Sequence, residues 1–242
     1  MPTRQQQRLL LGTRRAYTKK VQALSPIAYW PLAESSGSVA TDESGNARDG
    51  AYTSVALGAA GIGDGRSAAT FTPTTSLLNV YSASFAAAFS GAEGSAAMWL
   101  QMSAAGIWTD ATFHEALKFR VDANNSVTVE KTSTNNQIRT TYIAGATGKS
   151  INDASLAGSV AWFHVAMTWS KSNDRMRMYI NGVQSGANQT GLGTFAGSPA
   201  STTTCIGAND TTPTFVWSGN IAHVAIWSRE LSAAEVAAVA TV

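Results

Sequence analysis

Acidic residues cluster near the start of the chain in a run that could form a metal or catalytic site. The stretch "YWPLAESSGSVATDESGNARDG" (29–50) begins as an apolar strand and then carries four acids and three glycines. The acids are Glu34, Asp42, Glu43 and Asp49. The same residue types also build corners without a metal, because Asp42 and Ser44 can hydrogen-bond their own backbone while Gly45 and Gly50 accept a positive φ. Both interpretations are open at this point.

Two glutamates farther along the chain are weaker candidates for catalysis. Glu115 in "FHEALKFRVD" and Glu130 in "VTVEKT" stand apart in the sequence, among basic and apolar neighbours. This setting predicts a solvated strand face rather than catalytic carboxylates. Cys205, the only cysteine, lies in "TTTCIGA" and is expected to pack as a small hydrophobic residue. A single cysteine also excludes an internal disulfide and a cysteine-based zinc site.

The three histidines do not form a recognisable site. His114, His164 and His223 fall on separate strand segments without the spacing of zinc ligands. In "WFHVAMTW", His164 alternates with apolar neighbours, which is typical of a structural histidine in a strand. The residues therefore predict no catalytic site and no enzymatic activity.

The tryptophans are the main candidates for recognition. Five of the seven lie in or beside apolar strand segments, where core packing is expected: Trp30, Trp99, Trp162, Trp169 and Trp227. Trp108 in "SAAGIWTDATFHE" and Trp217 in "TTPTFVWSG" lie in or next to loops. An exposed indole at either position would be able to stack on a sugar ring or a partner protein. We therefore predict Trp108 and Trp217 as candidate glycan-binding or surface-recognition residues.

The elements that must position these side chains are β-strands. At 242 residues, with 13% charged and 44% hydrophobic residues, the chain predicts one large folded all-β domain. Segments rich in β-branched and aromatic residues recur between Gly, Asn, Asp and Ser clusters. The predicted strands are 28–32, 68–72, 77–81, 96–102, 116–121, 126–131, 138–143, 163–169, 175–180, 203–206 and 219–227.

Two local motifs give firm structural predictions. In "RMRMYING", arginines alternate with methionines before Asn181-Gly182, a dipeptide that favours a type I′ hairpin turn. In "SAAEVAAV", Ser232 precedes Glu235 by three residues, which predicts a capping box at the start of a short terminal helix.

The first 25 residues form a basic segment without acids. Its six cations are Arg4, Arg8, Arg14, Arg15, Lys19 and Lys20, which leaves 11 of the 17 basic residues against 15 acidic ones in the rest of the chain. The apolar run 9–11 is too short for the core of a secretion signal, and no run of about 18 apolar residues predicts a membrane span. We therefore predict an anchoring arm at 1–25, held by neighbouring subunits or an acidic surface, followed by one domain at 26–242.

Three segments of the chain resemble a known family. They are "AYWPLAESSG...TDESGNARDGAY", "AWFHVAMTWSKSNDRMRMYINGVQSG" and "IGAND...WSGNIAHVAIWSRELSAAEV". In this order and spacing they look like the landmarks of the laminin-G-like, concanavalin A-like jelly-roll domain, as found in phage and viral structural proteins. The resemblance covers about residues 27–240. It implies a two-sheet antiparallel sandwich whose members mostly bind glycans or proteins.

The resemblance also bears on catalysis and on metal binding. Glucanases with this sandwich carry a strand motif similar to Glu-x-Asp-x-x-Glu, which is absent from this sequence. Many members are thought to bind calcium near the segment matching "DESGNARDG", where Asp42, Asn46 and Asp49 could be ligands. However, the closing segment of the family usually resembles Gly-x-Ile-Asp followed by another acid, and here Ala222 and His223 occupy the positions of those two acids. We therefore expect no cofactor and a metal-free corner, with calcium near Asp42 as the alternative.

The combined features predict two classes of function. The first is a non-enzymatic virion protein of a capsid or tail, made in the host cytoplasm, anchored by its arm and displaying a lectin-like sandwich to host glycans. Its expected partners are other virion proteins, further copies of itself and cell-surface glycans. The alternative is a free-standing carbohydrate-binding lectin. Nucleic acid ranks below both, because the arm offers only Tyr17 for stacking and the rest of the chain is acidic.

Overall fold

Two antiparallel sheets pack against each other in the computed structural model, which describes residues 16–72 and 74–242. The first, sheet A, contains β1 (Ala28–Trp30), β4 (Ala56–Ala60), β5 (Ser67–Phe71), β7 (Glu93–Met102), β12 (Phe163–Ser170), β13 (Arg175–Ile180), β14 (Val183–Gln189) and β16 (Gly219–Trp227). The second, sheet B, contains β2 (Val39–Ala40), β3 (Gly50–Thr53), β6 (Leu77–Asn79), β8 (His114–Asp122), β9 (Asn125–Lys131), β10 (Ile138–Ala144), β11 (Thr147–Asp153) and β15 (Thr204–Ile206).

The strand orders are those of a sandwich built from distant parts of the chain. Sheet A runs β14-β13-β12-β7-β16-β5-β4, with β1 also paired to β16. Sheet B runs β11-β10-β9-β8-β15-β6-β3-β2. The inner faces of both sheets bury one apolar core that includes Trp30, Phe119 and Trp169. The predicted all-β, two-sheet antiparallel sandwich is therefore confirmed.

Helical segments are few and short in the described residues. They are α1 (16–22), α2 (Ala83–Ala88), a 3₁₀ turn (Ala105–Thr109) and α3 (Ala233–Val239). The predicted capping box of α3 is present, since the Ser232 hydroxyl accepts from the Glu235 backbone and the Glu235 carboxylate accepts from the Ser232 backbone. None of these helices is long and apolar enough to cross a membrane.

The outer faces of the two sheets differ. Much of the outer face of sheet A lies under α1 and α3, in a second apolar cluster that includes Tyr17, Trp99 and Val239. Strand β12 is accordingly buried at every position. Strand β10 of sheet B instead alternates between buried and half-buried residues, the pattern of a sheet with one open face. The outward side chains of β10 are therefore partly open to solvent, whereas the neighbouring strand β9 is buried at every position.

The predicted strands match the structure best where they are buried or end in a defined turn. The segments 175–180 and 219–227 coincide with β13 and β16. Asn181 and Gly182 have φ values of 49° and 80°, so the predicted type I′ turn between β13 and β14 is confirmed. Five strands were not predicted: β2, β3 and β11 of sheet B, and β4 and β14 of sheet A. Strands β4 and β14 lie at the edges of sheet A, and their small and polar residues give no apolar alternation.

The described part of the predicted arm packs onto the sandwich. Tyr17 and Val21 of α1 are buried, and the Tyr17 hydroxyl accepts from Trp99 Nε1 at 2.7 Å and donates to the Val239 carbonyl at 2.7 Å. Lys19 is exposed, and Lys20 Nζ donates to the Thr241 carbonyl at 2.9 Å. The other four predicted anchoring residues lie outside the described residues: Arg4, Arg8, Arg14 and Arg15.

Candidate functional site

A groove of about 350 Å³ lies on the outer face of sheet B. Its floor comes from β8, β9, β10 and β11, and two phenylalanines line one side. The lining residues are Phe113, Glu115, Lys118, Ser126, Thr128, Glu130, Arg139, Thr141, Ile143, Ser150 and Phe215. Most are polar or charged, so the groove offers hydrogen-bonding groups beside a small apolar wall.

The strand register places the charged residues side by side. Glu115 of β8 is the cross-strand partner of Glu130 on β9, and Glu130 is the partner of Arg139 on β10. Because side chains alternate between faces, Val127 and Val129 enter the core while Ser126, Thr128 and Glu130 line the groove. A register shift between Glu115 and Leu117 marks a β-bulge. This extra residue lets Glu115 and Lys118, three positions apart, both face the groove.

Glu130 and Arg139 form a close ion pair on the groove floor. Arg139 Nε donates to Glu130 Oε1 at 2.7 Å, and Nη2 lies 2.5 Å from the same oxygen. The guanidinium carbon of Arg139 also lies 5.4 Å from the centre of the Phe113 ring. The cation is therefore held by both a carboxylate and an aromatic face.

Glu115 is less completely satisfied than Glu130. Its side chain is only 6% exposed, and Lys118 Nζ lies 3.4 Å from Oε1. Within the described part of the chain, Oε2 is buried and has no hydrogen-bond donor. Burial raises the pKa of Glu115 to about 7, with Lys118 opposing the rise and the nearby Glu130 adding to it. This carboxyl group is therefore a buried acceptor with unused capacity.

The sequence interpretation of these two glutamates needs correction. It placed them on an outer strand face, which is right, but it expected that face to be solvated and the residues to stand alone. The Glu130 side chain is only 7% exposed, and the two glutamates are direct cross-strand partners. Residues 15 positions apart become neighbours through the register of β8 and β9, which composition and periodicity do not reveal.

The aromatic side of the groove is fixed by a buried polar cluster. Phe113 and Phe215 meet edge to face with their ring centres 5.7 Å apart, and Phe215 is 38% exposed. Lys131 Nζ donates to Asp110 Oδ1 at 2.6 Å and to the Thr112 carbonyl at 3.0 Å, which holds the loop before Phe113. These contacts position the two rings before any ligand arrives.

His114 links the two loops that carry these rings. Its Nε2 lies 2.6 Å from Asp110 Oδ2, and its Nδ1 lies 2.6 Å from the carbonyl oxygen of Val216, next to Phe215. Hydrogen bonds from Lys131 and His114 lower the pKa of Asp110, although burial opposes this shift. His114 therefore has a positioning role that its sequence context did not indicate.

Trp108 and Trp217 are not exposed, which corrects the prediction that they present rings to a ligand. They are 1% and 0% exposed and belong to the core between the sheets. Trp108 Nε1 donates to the Ser159 carbonyl at 2.8 Å, and Trp217 Nε1 donates to the Gln101 carbonyl at 3.3 Å. Both loops fold back over the sandwich, so each indole gains burial and a hydrogen-bond acceptor.

The acid-rich stretch forms a hydrogen-bonded corner. Asp42 Oδ1 accepts from the backbone amides of Tyr29 at 2.9 Å and Ser44 at 2.8 Å. Asp42 Oδ2 accepts from the Ser44 hydroxyl at 2.8 Å and the Arg48 amide at 2.9 Å. Both carboxylate oxygens are thus occupied by the chain itself. No group of three or more His, Cys, Asp or Glu residues within 16–72 and 74–242 is arranged to hold a metal ion.

The two glycines of this corner serve different purposes. Gly45 has a φ of +90°, as predicted. Gly50 does not have a positive φ, so that prediction is wrong. A Cβ atom at Gly50 would lie 2.7 Å from Leu78 Cδ1, so glycine is needed there for close packing between strands β3 and β6.

The remaining candidates have structural environments. Cys205 is buried in β15, and burial raises the pKa of its thiol to about 12. His164 is buried beside Trp99, and burial lowers its pKa to about 3, so it is neutral near pH 7. His223 Nδ1 lies 2.7 Å from the Tyr29 hydroxyl under α1. His164 and His223 thus lie on the covered side of sheet A, whereas Cys205 lies in sheet B, and the three side chains do not form a common site.

Residues 64–237 match the family model of the concanavalin A-like lectin/glucanases superfamily. The chain belongs to this superfamily. The resemblance found in the sequence is therefore confirmed over most of the domain. No curated protein sequence matches the chain at a significant level.

Solved structures with this lectin-like fold share little sequence with the chain. The botulinum neurotoxin serotype D binding domain matches with a TM-score of 0.63 and 14% identity over 89% of this chain and 51% of that one. The botulinum neurotoxin serotype D ligand-binding domain in complex with N-acetylneuraminic acid matches with a TM-score of 0.65 and 12% identity, over 93% of this chain and 52% of that one. Domain 4 of a GH43 extracellular arabinanase from Geobacillus stearothermophilus, in complex with arabinotriose, matches with a TM-score of 0.58 and 15% identity, over 90% of this chain and 98% of that one.

These likenesses establish the fold and no more. The chain spans about half the length of the neurotoxin domains that it matches, and nearly the whole of the arabinanase domain. The choice of ligand must therefore be argued from the groove itself.

Proposed function

We propose that this chain is a non-enzymatic carbohydrate-binding domain and that the groove on sheet B is its glycan site. The observation that carries the proposal is the combination of a half-exposed aromatic wall with a floor of buried charged groups and hydroxyls. Sugar rings have an apolar face that packs on aromatic side chains and a rim of hydroxyls that needs directed hydrogen bonds. The groove provides both.

The positions of the glutamates favour binding over hydrolysis. Glycosidases use two carboxyl groups on either side of the scissile bond, one of them as an acid and the other as a nucleophile or base. Here the Glu130 carboxylate is held by Arg139, so it is not free to act as a nucleophile or base. The motif Glu-x-Asp-x-x-Glu is also absent from the sequence. We therefore infer that a bound oligosaccharide is released unchanged.

In the first test, the purified full chain is titrated with oligosaccharides such as arabinotriose, lactose and maltotriose, and binding is measured by calorimetry. Phe215→Ala removes half of the aromatic wall and is expected to weaken the binding of any active glycan about tenfold or more. Val183→Ala is the control, because Val183 is 72% exposed at the far edge of sheet A. Equal affinity in wild type and Phe215→Ala, or appearance of hydrolysis products, would contradict this function.

A finer role rests on the charge of the first 25 residues. We propose that this segment anchors the domain to proteins of a virion capsid or tail, so that the sandwich displays its groove outward. The support is the set of six cations without an acid, of which Lys19 is exposed on α1. Contacts made by such an arm add to those of the domain through effective concentration. A free-standing lectin is the alternative, in which glycan binding and assembly do not depend on this segment.

A further inference from the structure

We propose that the groove selects neutral sugars and rejects carboxylated ones, and that Glu115 is the residue that accepts hydrogen bonds from the sugar hydroxyls. This inference rests on the proposed function and assigns its ligand class.

The strongest cation in the groove is already neutralised by the protein. Both contacts of Arg139 with Glu130 are at most 2.7 Å, and its guanidinium group packs against the Phe113 ring. A ligand carboxylate would have to compete with Glu130 for this group. Lys118, the other cation among the lining residues, lies beside Glu115. Each cation that lines the groove thus already has a carboxylate of the protein as its partner.

Glu115, in contrast to Arg139, has a hydrogen-bonding atom that the protein leaves unused. Its Oε2 atom is buried and has no donor within the described part of the chain. A buried acceptor of this kind is costly until a donor reaches it. A sugar hydroxyl is a neutral donor of suitable size, and adjacent hydroxyls can bind both oxygens of one carboxylate. Thr128 and Ser126 add hydroxyls along the same floor.

The electrostatic environment agrees with this assignment. Burial and Glu130 together disfavour the ionised form of Glu115, as its pKa of about 7 shows. A ligand carboxylate placed on the same floor would meet the same desolvation and the same negative neighbours. A neutral ligand meets neither penalty.

The test compares each neutral sugar with a carboxylated counterpart on the full chain. Suitable pairs are lactose with 3′-sialyllactose, galactotriose with trigalacturonic acid, and cellotriose with its uronic acid analogue. We expect at least one neutral member to bind in the groove, at least about tenfold more tightly than its acidic partner. Amide chemical shifts in a ¹⁵N-labelled sample report whether a ligand lies against 113–118 and 126–130.

Two substitutions on neighbouring strands separate the roles of the glutamates. At pH 8, where the Glu115 carboxyl group is mostly ionised, Glu115→Gln should weaken the binding of the neutral sugar about tenfold, because a charged acceptor is replaced by a weaker one. Glu130→Gln should release Arg139 and raise the relative affinity for the acidic counterpart about tenfold. Glu93→Gln, on β7 of sheet A, should change neither affinity. Thermal unfolding confirms that each variant is folded.

The outcomes distinguish this inference from the proposed function. Groove binding that favours the acidic member, or that is unchanged in Glu115→Gln, overturns the selectivity and leaves a glycan site in place. Absence of any groove binding across the panel overturns the glycan site as well.

Discussion

At the scale of single residues, burying the Glu115 carboxyl group costs free energy of folding, and the fold tolerates this cost. Its carboxyl group is buried beside Glu130, with one long contact to Lys118 and one oxygen without a donor in the described residues. Core positions usually avoid such groups unless they are paired. A buried, incompletely satisfied carboxyl group that faces a groove is what ligand recognition requires, because the ligand then supplies the missing donor.

This environment predicts a pH dependence of stability. The folded-state pKa of Glu115, about 7, exceeds its ordinary value of 4.5, so the folded chain holds this proton more tightly than the unfolded chain. Its contribution to stability is therefore complete below about pH 4.5 and is lost as pH rises through 7. Glu115→Gln should be more stable than wild type at pH 8, by about 2–3 kcal/mol, and similar to it near pH 4.5. Urea unfolding at both values measures this, and a constant difference between the two proteins would contradict it.

At the scale of elements, helix α1 is part of the fold although its sequence was assigned to an arm. Tyr17 reaches across the outer face of sheet A to bridge β7 and α3 through Trp99 and Val239. In the sequence, Tyr17 stands among cations and polar residues, so its apolar environment was not evident. The described part of α1 buries only Tyr17, Thr18 and Val21, which are too few positions for periodicity to reveal a helix.

The bridge made by Tyr17 predicts a measurable stabilisation. Tyr17→Phe leaves Trp99 Nε1 without its acceptor and the Val239 carbonyl without its donor. We expect a loss of about 1–3 kcal/mol in the free energy of unfolding, with glycan binding on sheet B unchanged. Lys19→Ala on the exposed side of the same helix is the control and should have little effect. Equal stability of Tyr17→Phe and wild type in urea unfolding would show that the bridge contributes nothing.

The sequence predicted elements better than their contacts. The Asn181-Gly182 turn and the α3 capping box are local, so their residues determine their geometry directly. The groove depends on pairing between β8, β9 and β10 and on a bulge after Glu115, none of which a local pattern encodes. For the same reason, the sequence named Trp108 and Trp217 as candidates for surface recognition, whereas Phe113 and Phe215 form the aromatic wall.

At the scale of the whole molecule, the outer faces of the two sheets differ in what they contact. Sheet A is covered on much of its outer face by α1 and α3, which join the ends of the described chain into one unit. Sheet B carries the groove on its outer face. In the proposed virion role, anchoring through the basic segment would leave the groove on sheet B free to meet a glycan.

The packing of α1 on sheet A determines where the chain should be truncated. Deletion of 1–15 leaves Tyr17 and Val21 in place and should preserve both the melting temperature and glycan binding, while abolishing incorporation into the virion. Deletion of 1–25 also removes the buried residues of α1 and should lower the melting temperature by several degrees. Normal assembly of the 1–15 deletion would contradict the anchoring role.

The central claim, that the groove of sheet B binds a neutral glycan, is tested most directly by one titration of the ¹⁵N-labelled full chain with the neutral and acidic oligosaccharide pairs. We expect saturable amide shifts for a neutral sugar at 113–118, 126–130 and 139–143, the segments that line the groove. Shifts confined to the loops around Asp42 or to α1, or no shifts with any sugar, would contradict it.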